Sequence, residues 1–135
     1  MSVPSASFLG AIALSLTLAG CASLRTPSCP TGQERLRTAQ MFFNQKPGVS
    51  DAAFRKFVDD ELSPRFPDGL TILNGGGQWR GSENQLIREA SKIVVIVLPA
   101  RGDPSAKIEA ARGAYKKQFQ QETVLLVTQA SCVSF

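Results

Sequence analysis

Ile93-Val94-Val95-Ile96-Val97-Leu98 is apolar at six consecutive positions. A strand with one wet face alternates apolar and polar residues, whereas a strand without alternation is buried on both faces. The run therefore marks the end of a central strand, read from about Gln85 to Leu98. Its side chains divide into two triplets, Ile93, Val95 and Val97 on one face and Val94, Ile96 and Leu98 on the other. Only one triplet can pack against helices, so the other needs a cover of its own.

Asp103-Pro104 follows, an N-cap with Pro at the first helical position, and Ile108, Ala111, Tyr115 and Phe119 continue as the apolar stripe of a helix. A last strand is read from Thr123 to Thr128, with Cys132 and Phe135 beyond it. Upstream of the central strand, Gly81-Ser82-Glu83-Asn84 reads as a loop. Leu70 to Arg80 reads as a strand interrupted by Gly75-Gly76-Gly77, where a bulge or a close approach is expected. A phosphate-loop reading of those glycines fails, because no Gly-Lys-Ser/Thr and no helix start follows. Earlier still, Ser50 is a good N-cap, and Phe54, Phe57, Val58 and Leu62 lie on one helical face. Pro64 and Pro67 end that helix, and Pro67-Asp68-Gly69 makes a turn. The first strand runs from Arg35 to Phe43, and Lys46-Pro47-Gly48 breaks it.

The order is β-α-β-β-α-β, the split βαβ or ferredoxin-like arrangement, an α+β fold with an antiparallel sheet and two helices on one face. In this reading the first and third strands are central and parallel, and the fourth lies antiparallel beside the first. The start of strand one then meets the end of strand four. Cys29 and Cys132 sit just outside those points, and a disulfide between them is expected. It would close a loop of about 100 residues. The face away from the helices is expected to pair with a second copy of the chain. The tail from Ala130 to Phe135, or the segment before strand one, is the competing cover.

Leu18-Ala19-Gly20-Cys21 ends an uncharged apolar stretch from Phe8 to Ala19. That stretch is about 12 residues long, too short to span a bilayer of ~30 Å, and it fits the h-region of a secretory signal. The four residues resemble the lipobox of bacterial lipoproteins, which implies cleavage before Cys21 and a lipid on its thiol. Residues 1–24 hold no Lys or Arg, so the terminal amine is the sole charge of the n-region. Ala22, rather than Asp, after the Cys implies by the same resemblance the outer membrane, facing the periplasm. The division expected is a signal peptide over 1–20, a lipidated Cys and short tether over 21–33, and one domain over 34–135. The tether from 22 to 28 reaches at most ~25 Å, which keeps the domain near the membrane.

Lys and Arg number 15 against 11 Asp and Glu, a net charge of +4. The basic residues are spread along the chain and lack interleaved aromatics, so nucleic acid is not an expected partner. The chain has no His, which removes Ser-His and Cys-His nucleophile pairs and the commonest zinc ligand. No metal site and no cofactor is expected.

The polar group around the Gly81–Asn84 loop is the candidate binding site. Pairing across that loop sets Gln78 opposite Arg88 and Arg80 opposite about Leu86. Gln78, Arg80, Arg88 and Lys92 then share one face, with Trp79, Glu89 and Ser91 on the other. Three cations on one face suit a carboxylate or phosphate ligand, while the bland alternative is a solvated hairpin tip. Arg65 and Asp68 at the helix-to-strand corner read as a structural ion pair or a turn cap rather than an active site.

Pro64-Arg65-Phe66-Pro67-Asp68-Gly69-Leu70-Thr71, Gly77-Gln78-Trp79-Arg80, Arg88-Glu89-Ala90-Ser91-Lys92, Tyr115-Lys116-Lys117-Gln118-Phe119 and the closing Cys132-Val133-Ser134-Phe135 together resemble a bacterial family known as domain of unknown function 3574. The resemblance runs from about Cys29 to Phe135. It implies no activity and lends no functional residues. Two readings of function follow. The first is a non-catalytic envelope lipoprotein, a binding or structural domain held near the membrane. The second, by fold analogy, is a small-molecule enzyme of the dimeric α+β-barrel type. There Arg80, Arg88 and Lys92 would hold an anionic substrate and Glu89 would be the base.

Overall fold

The computed structural model describes residues 28–135. Strand β1 spans Glu34–Gln45, helix α1 Asp51–Phe57, strand β2 Thr71–Arg80, strand β3 Leu86–Leu98, helix α2 Pro104–Gln118 and strand β4 Leu125–Val133. The strands form one sheet in the order β2-β3-β1-β4, the ferredoxin-like α+β architecture. Both helices begin on the caps read from the sequence. The Ser50 hydroxyl accepts from the Ala53 N–H at 3.1 Å, and Asp103 Oδ1 accepts from Ala106 N–H at 2.9 Å. Each satisfies a backbone donor that the helix cannot satisfy itself.

One expectation about direction is corrected. β1 and β3 are central, but they pair antiparallel, with Met41 opposite Val94 and Phe43 opposite Lys92. The reason is in the connections. The α1 crossover returns β2 in the direction of β1, and the hairpin then reverses β3 against both. β4 lies antiparallel beside β1, with Glu34 opposite Val133 and Phe42 opposite Leu125.

Two strand limits are also corrected. β2 runs unbroken through Gly75-Gly76-Gly77, in constant register with β3 and without a bulge. The glycines make room for side chains. That holds at Gly75, where a Cβ would stand 2.6 Å from Ile93 Cδ1, whereas one on Gly77 would make ordinary contact with the Trp79 ring at 3.8 Å. β4 extends past Thr128 to Val133, so Cys132 lies inside the strand. That stretch lacks an apolar pattern because it forms an edge, held to β1 by backbone pairing rather than by burial. The Cys29–Cys132 disulfide joins it to the segment before β1, with Cα atoms 5.4 Å apart.

Val94, Ile96 and Leu98 are the triplet that faces the helices, each at most 1 % exposed. They meet Ala39, Met41 and Phe43 of β1, then Phe54, Phe57 and Leu62 from the first helix and Ile108, Ala111 and Tyr115 from α2. Phe43 is the centre of an aromatic cluster, with ring centroids 5.6 Å from Phe54, 5.7 Å from Phe57 and 4.7 Å from Tyr115, all edge to face. After Phe57 the helix widens into a π turn over Val58–Leu62, closed by Ser63 N–H donating to the Val58 carbonyl at 2.8 Å. The wider turn keeps Val58 and Leu62 both buried.

The opposite face carries Ile93, Val95 and Val97, flanked by Leu73 on β2, Phe42 on β1, and Leu125 and Val127 on β4. Leu73, Leu125 and Val127 are 48 %, 60 % and 40 % exposed. No further helix or strand packs on this face among the described residues, although Leu36, at the β1 end of it, is buried at 8 % exposure. The tail does not cover it, because residues 130–133 lie within β4 and Phe135 is 98 % exposed.

Candidate functional site

The β2–β3 hairpin has the expected register, with Gln78 opposite Arg88 and Arg80 opposite Leu86. It reaches beyond the last β1 pair, Gln45 with Ala90, so its tip overhangs the sheet. Gly81 N–H donates to the Gln85 carbonyl at 2.8 Å, and Asn84 takes the left-handed conformation with φ 62° that turns the chain back.

Gln78, Arg80, Arg88 and Lys92 share the face that carries the helices, but their charges do not converge. Arg88 Nε donates to Gln78 Oε1 at 2.9 Å. Arg80 Nη1 donates to the Asn84 carbonyl and side chain at 3.1 and 3.3 Å, bracing its own turn. Lys92 Nζ lies 2.7 Å from Asp51 Oδ1 and 2.6 Å from Asn74 Oδ1. The Lys92 ammonium, by hydrogen bond and then by charge, holds the Asp51 carboxyl below its usual range. This pair ties α1 to β3 at the surface. Each cation thus has its own neutral or acidic partner.

Trp79 and Glu89 stand on the opposite, open face, at the hairpin end. Glu89 is paired across the ladder with Gly77, and the Trp79 ring lies beside that glycine. Around them lies a cleft of about 380 Å3, lined also by Asn44, Lys46, Gln121, Glu122 and Thr123. The far wall is held in place from α2. Arg112 donates to the Val124 carbonyl through Nε at 3.0 Å and Nη2 at 2.7 Å. Gln120 adopts φ 52° just past the end of α2, and the next residue, Gln121, is buried. Tyr115 braces the near wall, its hydroxyl donating to the Asn44 carbonyl at 2.9 Å. Burial pushes this phenol up to about 12.

Sequence reasoning placed Trp79 and Glu89 on one face but missed the other five residues of this cleft. Asn44 and Lys46 come from the end of β1, and Gln121 to Thr123 precede β4. Strand order alone brings those two ends beside the hairpin, so topology was the available signal. Among the described residues no group of His, Cys, Asp and Glu is placed to hold a metal ion.

The fold is similar to that of a phage SAM lyase in complex with S-methyl-5'-thioadenosine, at 14 % identity and a TM-score of 0.54, covering 81 % of this chain and 95 % of that one. It is similar to the phage SAM lyase in its apo state, at 18 % identity and a TM-score of 0.54, covering 75 % and 90 %. CutA from Synechococcus elongatus PCC7942 is similar at 8 % identity and a TM-score of 0.50, covering 73 % and 78 %. At such identities the likeness is one of fold alone. No curated protein matches the chain. Residues 35–135 match the model of the protein-of-unknown-function family DUF3574, and the chain belongs to that family.

Proposed function

We propose that this protein is an envelope lipoprotein, anchored through Cys21 at the outer membrane, whose domain works as a binding or structural module and pairs with a second copy through its open sheet face. The observation that carries the reading is that face, apolar across four strands and uncovered among the described residues. Cys21 lies outside the described residues; the disulfide eight residues beyond it supports export to an oxidising compartment.

Four strands about 4.8 Å apart and some nine residues long present roughly 600 Å2 of projected area. That is of the order of the ~800 Å2 per partner in a standard interface. If about half of each face is apolar, pairing buries about 600 Å2 of apolar surface in all. At ~25 cal/mol per Å2 this contributes about 15 kcal/mol, against association costs of about 4–15 kcal/mol. The chain from Ala22 onward is expected to run as a dimer in light scattering at tens of micromolar. Val95→Lys should render it monomeric. A wild-type monomer overturns the pairing. Cys21→Ser should abolish fatty-acid labelling and membrane fractionation, and unchanged labelling overturns the anchor.

The enzymatic alternative needs Glu89 and the cations in one cavity. The sheet stands between them: Glu89 faces one side, while Arg80, Arg88 and Lys92 face the other. The geometry therefore favours the binding module.

A further inference from the structure

We infer that the cleft between Trp79 and the α2–β4 segment is a binding site for an aliphatic ammonium compound, its nitrogen held by Glu89 and its chain laid on the indole. The carboxylate is the main observation. Glu89 Oε2 is buried and has no hydrogen-bond partner among the described residues. A buried acceptor without a donor is costly, and most such groups have a partner. The unused oxygen belongs to a residue that lines a cleft of about 380 Å3, within the size range of small-molecule sites.

The walls specify the charge of the occupant. Glu89 and Glu122 line the cleft against a single ammonium, that of Lys46, so the balance is anionic in a chain whose overall balance is +4. Lys46 lines the cleft without forming an ion pair with Glu89. Trp79 is 39 % exposed, and an indole face attracts a cation that lies over it. A protonated amine satisfies both features at once, donating N–H to the Glu89 carboxylate and sharing its charge with the ring. A carboxylate or phosphate would meet Glu89 with like charge.

The test uses the only Trp in the chain, so intrinsic emission reports on the cleft itself. The full chain is titrated with 5-amino-1-pentanol at neutral pH, where the amine is protonated. The controls are 1,5-pentanediol, its neutral analogue, and NaCl at matched ionic strength. The expected result is a saturable change in emission with the amino alcohol and at least tenfold weaker binding of the diol. Glu89→Gln is expected to weaken the amine at least tenfold while leaving the melting temperature and the unliganded emission in place. Lys46→Ala is expected to leave binding unchanged or to tighten it. Equal responses to amine and diol, a response matched by NaCl, or full binding by Glu89→Gln each overturn the proposal. So does a response seen only in Lys46→Ala, which would make Lys46 the resident partner of Glu89. Trp79 and Glu89 lie on the face proposed to pair, so the titration is repeated on monomeric Val95→Lys: amine binding there keeps the site even if pairing fails, and loss of binding there overturns it.

Discussion

Replacing Cys29 and Cys132 together by Ser is expected to destabilise the domain by about 4–5 kcal/mol. The bridge joins positions 103 residues apart. In the chain-entropy model a closed loop of that length removes about 16 cal/mol/K from the unfolded ensemble, or ~4.7 kcal/mol at 25 °C. The native side of the balance changes little, because Cys132 is exposed on edge strand β4 and Cys29 is half-buried. Ser there leaves no core cavity. The effect is large against a total stability of about 5–15 kcal/mol. With a urea slope of about 1–3 kcal/mol per M, the midpoint should fall by about 2 M. The melting temperature should fall by roughly 20 °C or more. The assay is urea unfolding of the oxidised chain, the reduced chain and the double variant, followed by far-UV circular dichroism. Reduced and double-variant curves should coincide. A loss below about 1 kcal/mol with an unchanged slope would refute the loop-entropy reasoning, and two titratable thiols in the folded oxidised chain would refute the bridge.

Phe43→Ala removes a fully buried ring that packs on Phe54, Phe57 and Tyr115, and should cost about 3–5 kcal/mol in the same unfolding assay. Tyr115 titrates at about 12 in the fold against 10.0 ordinarily, because burial disfavours the phenolate. The folded state therefore holds this proton more tightly. Its contribution is complete below pH 10 and is lost as the pH rises through 12, about 2–3 kcal/mol in all. Tyr115→Phe, although it gives up the hydrogen bond to the Asn44 carbonyl at about 1 kcal/mol, should show a shallower alkaline decline than wild type between those pH values. Lys92→Ala breaks the pair with Asp51, whose carboxylate is largely exposed, and also removes a lysine stem that is only 12 % exposed, so it should cost more than the ~1 kcal/mol of a fully exposed pair in the same unfolding assay.

Local rules made much of this fold legible from the chain alone. Ser50 and Asp103 announce their helices because a cap is chemistry within four residues. The Gly81–Asn84 loop sets the hairpin register because a short turn leaves few ways to pair. The six-residue apolar run marks β3 as central, and the element order places Cys29 beside Cys132. Direction, partner and exposure needed the tertiary structure. Nothing in Ile93 to Leu98 says which triplet meets the helices; the twin side of each strand is chosen only when α1 and α2 dock. The cations looked convergent on a flat drawing of the hairpin. Lys92 instead found Asp51 some forty residues away in sequence, a pairing set by where α1 begins above the sheet. Glu89 and Trp79 were visible as residues but not as a cleft, because its other walls come from the end of β1 and the start of β4. A spacing rule acts along a few residues, whereas a site assembled from three separate segments exists only after the strand order has brought them together.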